Sequence, residues 1–328
     1  MTLPFDAEQT NWNLRQRITR GELFSLALAF GAAGAFLWLS PVISYTFFDF
    51  KIYLNTAHGT FTGYYYGYWL LPIFALLAKL PLSWSYLLWS TLNIFGVFLA
   101  ARVFGGKAPL ALLSYQMFYS LIYGGISGVI VGALALCWWG LLNRKWNMAG
   151  LGIALASAKF QIGITGSLLL LLTADISWKD RARTLLVPLL VGIASLFIYP
   201  GWPFELLHNS LSVPPNANGS ISLWRWVGPW ALLLWIPSLL LRLPGQRRFI
   251  ALVAAMALAL PYFQQSDLLF LLVMPIGWMG LLGNLGYFMN RYGWLALQSL
   301  ALLPLVVYGI TLLPTFMTQA LSKKFDST

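Results

Sequence analysis

Apolar runs of membrane-spanning length recur from residue 22 almost to the end of the chain, and most of the charge falls at their ends or in the gaps between them. A hydrocarbon core offers the backbone no water, so such runs resolve their peptide groups as helices of about 20 residues. Candidate spans are 22–44, 83–104, 108–123, 126–142, 147–173, 184–200, 227–242, 249–263, 267–283 and 292–316. Charged residues make up 9% of the chain, against about 25% in a soluble domain, which excludes a large soluble core. The expected fold class is all-α, a polytopic transmembrane helical bundle.

A net charge of +11 would suit a nucleic-acid partner, but the basic residues fall in small groups between the apolar runs. These groups are Arg15, Arg17 and Arg20; Arg102 and Lys107; Arg144 and Lys145; Lys179, Arg181 and Arg183; Arg242, Arg247 and Arg248; and Arg291. That spacing is the signature of cytoplasmic loops, so the excess reports topology and no nucleic-acid partner is expected. Residues 22–44 are too long for the apolar part of a signal peptide and read as an uncleaved first helix with a cytoplasmic N-terminus. If 66–80 crossed the membrane, Arg102, Lys107, Arg144 and Lys145 would all lie outside; as a juxtamembrane helix bracketed by Pro72 and Pro81, it keeps them inside. Likewise 147–173 must break near Lys159-Phe160-Gln161 to keep Lys179, Arg181 and Arg183 inside. The threading gives about eleven helices, within a range of roughly nine to twelve.

The expected organisation is a cytoplasmic segment 1–21, one membrane domain 22–316 with outer loops 45–82 and 200–226, and a polar tail 317–328. The lone cysteine, Cys137, excludes an intrachain disulfide.

This threading pools the reactive side chains on the outer face: Asp49, Glu205, Asp267, His58, His208, Lys51, Lys159 and Arg225. The pattern FFDFKIY-x4-H-G-x3-G-YYYGYWLLP around Asp49, directly after the first helix, resembles the membrane-embedded GT-C glycosyltransferases. Within that class it is most similar to glycosyltransferase family 87, the polyprenol-phosphate-mannose-dependent mannosyltransferases of bacteria. Segments 149–163, 202–226 and 260–275 extend the likeness over roughly residues 20–285. It departs from the family pattern at Tyr68-Trp69-Leu70-Leu71-Pro72, which keeps one proline, and at Gly124-Gly125-Ile126-Ser127, where a Gly-Gln pair is usual.

The resemblance implies an inverting transfer of a hexose, mannose foremost, from a polyprenyl-phosphate donor to a lipid or glycan hydroxyl on the extracytoplasmic face of a bacterial plasma membrane, as part of cell-envelope synthesis. Asp49 occupies the place of the catalytic base. An alcohol nucleophile needs a positioned carboxylate to take its proton, and a departing phosphate needs cations, for which Lys159 and Arg225 are the best placed. Lys51, Tyr53, Tyr68, Gln161, His208, Asn209, Gln264 and Asp267 complete the candidate substrate contacts. No nucleotide loop, Cys/His cluster or Asp-x-Asp is present, so no cofactor is expected beyond a weakly held divalent cation at the phosphate.

Plainer readings stand beside these. Asp49 also suits a helix cap, and Asp267 a first-turn residue. Lys159 could snorkel, and the tyrosines of 64–68 could form an interfacial belt. His58 reads as structural, and His208 and Glu205 also suit interfacial polarity. A transporter or lipid flippase, or an inactive GT-C-like partner subunit, is the competing class.

Overall fold

A computed structural model describes residues 7–212, 220–241, 243–289 and 299–325. Arg242 and Arg291, and 213–219 of the second outer loop, lie outside the described residues. Among those described, the chain is helical without a strand. Helix α1 (Ala7–Arg15) packs on the segments 82–104 and 127–142, and α2 (Arg20–Leu39) opens with a reciprocal cap between Thr19 and Glu22. A short α3 (Phe48–Ala57) follows, then α4 (Leu71–Leu77), entered through a tight turn of helix at Tyr68–Leu70. The ten residues 68–77 amount to about 15 Å of helix, too short to cross a bilayer, as the charge distribution required.

Helices α5 (Leu82–Phe104), α6 (Ala108–Leu112), α7 (Tyr115–Tyr123), α8 (Ser127–Leu142), α9 (Trp146–Ala156), α10 (Phe160–Thr173) and α11 (Trp178–Ile198) build the central bundle. The expected break in 147–173 falls between Ala156 and Phe160. Beyond it come α12 (Trp202–Ser212), α13 (Trp224–Val227), α14 (Trp235–Leu240), α15 (Gly245–Ala259), α16 (Leu269–Leu272), α17 (Leu285–Met289) and α18 (Leu302–Phe325).

Among the described residues three helices, α2, α5 and α11, are long and apolar enough to cross a membrane. A fourth span results if α7 and α8, bent by 116° at their junction, are counted as one. Segment 68–77, α9 and α10 are apolar but shorter. The run 267–283, expected as one crossing, is not one helix. It descends from Asp267 to Val273, whose carbonyl lies against Gly106, and returns through 277–284 beside α7. There Gln116 Nε2 donates to the Gly283 carbonyl at 2.9 Å and Asn284 Oδ1 accepts from the Tyr115 amide at 3.0 Å. Pro275, with no N–H to donate, sits where the direction reverses.

The packing is compatible with a membrane helical bundle. Helix α2 turns Ser25, Ala29 and Ala33 inward and leaves Phe24, Leu28 and Trp38 exposed, so large apolar groups face outward and small ones let backbones approach. Between α5 and α8 the approach is closest at Gly96, where a Cβ would lie 2.4 Å from the Gly128 carbonyl oxygen.

The bundle has two chemically different ends. At the basic end Arg102 pairs with Glu22 at 3.1 Å and donates to the carbonyls of Gln16 and Arg17. At the opposite end the starts of α3, α8, α10 and α16 converge.

Candidate active site

Asp49 stands in the first turn of α3, and its position is set by the residue two before it. Phe47 adopts a left-handed backbone, φ +61°, which costs a bulky residue energy unless its surroundings hold it. Here they do. Its N–H donates to the Ile122 carbonyl at 2.7 Å, and its fully buried ring packs on Tyr86 with centroids 3.8 Å apart. The same surface clamps the rest of the turn. Tyr86 Oη donates to the Leu121 carbonyl at 2.9 Å, and Trp89 Nε1 to the Gly124 carbonyl at 3.0 Å. Gly124, at φ +69°, admits the backbone of α3: a Cβ there would sit 2.5 Å from Phe50 Cβ. Helix α3 is thus pinned to the junction of α7 and α8.

The Asp49 carboxylate is half-buried and has no hydrogen-bond or ion-pair partner among the described residues, so it is not spent as a cap. Burial pushes its pKa up to about 6 from an ordinary 3.8, and the positive charge of Lys159 pulls partly against that rise. Tyr53, Tyr66, Tyr119, Tyr123 and Tyr262 lie within electrostatic reach of the carboxylate. Tyr66 and Tyr262 are also within electrostatic reach of Asp267.

Lys159 occupies the break between α9 and α10 in extended backbone, with the preceding Ala158 carbonyl accepting the Gly67 amide at 2.8 Å. Its ammonium reaches Asp267 Oδ1 at 2.6 Å, Gln264 Oε1 at 2.9 Å and Ser127 Oγ at 3.4 Å. Asp267 is almost fully buried, and its other oxygen accepts the Gln264 amide at 3.2 Å, closing the start of the turn before α16. The first-turn reading of Asp267 therefore holds, and the same carboxylate is the counter-ion of Lys159. Lys159 does not snorkel. A buried pair of this kind is offset only when every lone pair and proton finds a partner, and this one is enclosed by Ser127, Gln264 and the backbone.

The other expected contacts divide. Gln264 joins the cluster and donates through Nε2 to Tyr262 Oη at 2.7 Å. Tyr53 is buried against Phe74, ring centroids 4.9 Å apart, and beside Tyr66. Tyr68 turns away: its hydroxyl donates to Glu205 Oε2 at 3.0 Å, Tyr199 donates to Oε1 at 2.8 Å, and its ring stacks with Phe61 and Tyr199. Its role is to hold α12 against the first loop. Lys51, two residues past Asp49, is exposed on another face of α3. Gln161 is half-buried in the first turn of α10 without a bond to the cluster. His208 is exposed on α12, and the side chain of Asn209 lies outside the described residues. Arg225 is half-buried on α13, an element separate from those that carry Asp49, Lys159 and Asp267. Among the described residues no three His, Cys, Asp or Glu side chains gather as metal ligands.

No family model, curated protein or solved structure matches the chain. The likeness to the GT-C enzymes accordingly rests on the first-loop pattern and its companion segments.

Sequence reading missed Tyr119 and Tyr123 and gave Ser127 no role. A signal for the tyrosines was present: Tyr115, Tyr119 and Tyr123 recur every four residues and therefore share one helix face. What the arrangement offers is a carboxylate raised by burial to about 6, within electrostatic reach of several tyrosine hydroxyls and of Lys159. That is the equipment of a general base acting on an alcohol.

Proposed function

We propose that this protein is an integral membrane glycosyltransferase of the GT-C type. It moves a hexose, mannose foremost, from a polyprenyl-phosphate donor to a lipid or glycan hydroxyl, with the Asp49 end of the bundle outside the cytoplasm of a bacterial cell. The observation that carries this reading is the unpartnered, half-buried Asp49 carboxylate, raised to about 6 and held at the start of a clamped helix.

In the reaction the acceptor oxygen attacks the anomeric carbon, Asp49 takes the hydroxyl proton, and the sugar–phosphate bond breaks with inversion. Lys159 and Arg225 are the phosphate partners. Lys159 keeps Asp267 and Gln264 and gives up its longest contact, the 3.4 Å one to Ser127, for a phosphate oxygen, which uses its three donors fully. The donor enters from the bilayer, so no nucleotide site is needed. The test is a donor comparison: purified protein is given radiolabelled mannose on polyprenyl phosphate or on a nucleotide, with glycolipid acceptors. Transfer from the polyprenyl phosphate alone supports the proposal; transfer from the nucleotide sugar overturns it.

One observation favours a second reading. A buried Lys–Asp pair bridging separate helices is also equipment of coupled transporters, and flux of a labelled lipid or solute into liposomes without glycosyl transfer would select it.

A further inference from the structure

We propose a second ligand site, independent of the chemistry at Asp49: a cavity at the basic end that takes an anionic phospholipid of the surrounding membrane. The cavity has a volume of about 580 Å³ and lies between the start of α2, the start of α6 and the returning segment 277–284. That volume falls in the range of about 300–1,000 Å³ typical of ligand sites.

Its walls are of two kinds. Leu110, Trp278 and Leu281 supply apolar surface, and Trp278 and Leu281 are 67% and 56% exposed, so this wall continues onto the outer surface of the bundle. Lys107, Thr19 and Glu22 supply the polar wall. Glu22 carries no net demand for a cation, because Arg102 pairs with it at 3.1 Å. The Lys107 ammonium makes no hydrogen bond or ion pair among the described residues and is exposed. The uncompensated charge is thus the positive one of Lys107, in a cavity whose other walls are largely apolar. This is the chemistry of a phosphodiester headgroup with an acyl chain beneath it, and basic pockets between membrane helices recognise lipids in this way. A tryptophan at the edge suits the headgroup level.

The occupant would fasten α2 and α6, which pack on one another, to the 277–284 return. The test uses purified full-length protein in a mild detergent. Its thermal unfolding is followed with phosphatidylglycerol, with phosphatidylcholine and with inorganic phosphate, and bound lipids are counted by native mass spectrometry. Phosphatidylglycerol should raise Tm by about 2–4 °C; phosphatidylcholine and inorganic phosphate should not. Lys107→Glu should abolish the shift and lose one retained lipid, and Trp278→Ala should weaken lipid affinity about tenfold. Lys79→Glu, the same charge change at an exposed position near the other end, should keep the wild-type shift. Equal shifts from both lipids, a shift from phosphate alone, no shift at all, or a Lys107→Glu protein that responds like wild type would each overturn the site.

Discussion

Asp49 is an expensive residue where it stands, and its cost has a sign. Because burial raises its folded pKa from 3.8 to about 6, the folded state binds a proton more readily than the unfolded chain. Stability is therefore greatest below the unfolded value and falls as pH climbs through about 6. Asp49→Asn should remove that penalty and stabilise the protein at neutral pH by about 1–3 kcal/mol, seen as a higher Tm in detergent; a clear destabilisation would mean the carboxylate is structural. Asp49 and Lys159 were legible in the sequence because charge is rare enough in this chain for each group to be conspicuous. The partner of Lys159 was not. Asp267 lies 108 residues away, and nothing in hydropathy says which distant carboxylate a buried lysine will meet. The partner of Tyr68 was equally hidden: its hydroxyl donates to Glu205, 137 residues away.

At the scale of elements, two devices hold the site in shape. The ion pair ties the α9–α10 break to the turn before α16, and removing one partner leaves a buried charge. Lys159→Met or Asp267→Asn alone should cost about 3–5 kcal/mol, while Lys159→Met combined with Asp267→Leu should recover much of it; thermal unfolding of the three variants reads this directly. The second device is the glycine contact under α3. Gly124→Ala places a methyl group 2.5 Å from Phe50 Cβ in a left-handed turn, so it should destabilise by more than about 1 kcal/mol and lower any Asp49-dependent activity through displacement of α3. Wild-type activity and Tm would show that the clamp is dispensable. The break at 157–159 was readable because charge on the flanking loops demanded it. The hairpin at 267–289 was not, since hydropathy measures apolar length and is blind to a reversal within it.

For the whole molecule, the helical bundle and its two unlike ends follow from where charge is tolerated. The proposed orientation puts the Arg144 end in the cytoplasm and His58 outside. With Cys137→Ser as background, a cysteine at 58 should label with an impermeant maleimide on intact cells and one at 144 should not; the reverse pattern would invert the topology and with it the side of the reaction. The central claim is that Asp49 is the base. It is tested most directly by the pH dependence of mannosyl transfer from polyprenyl phosphate, comparing wild type with Asp49→Asn. Only the ionised carboxylate can accept a proton, so wild-type kcat/KM should rise with pH through about 6 and level off above. The Asn variant should be slower by roughly 10²–10⁴-fold and lose that limb. An Asn variant that transfers at the wild-type rate, with the same acid limb, would contradict the assignment.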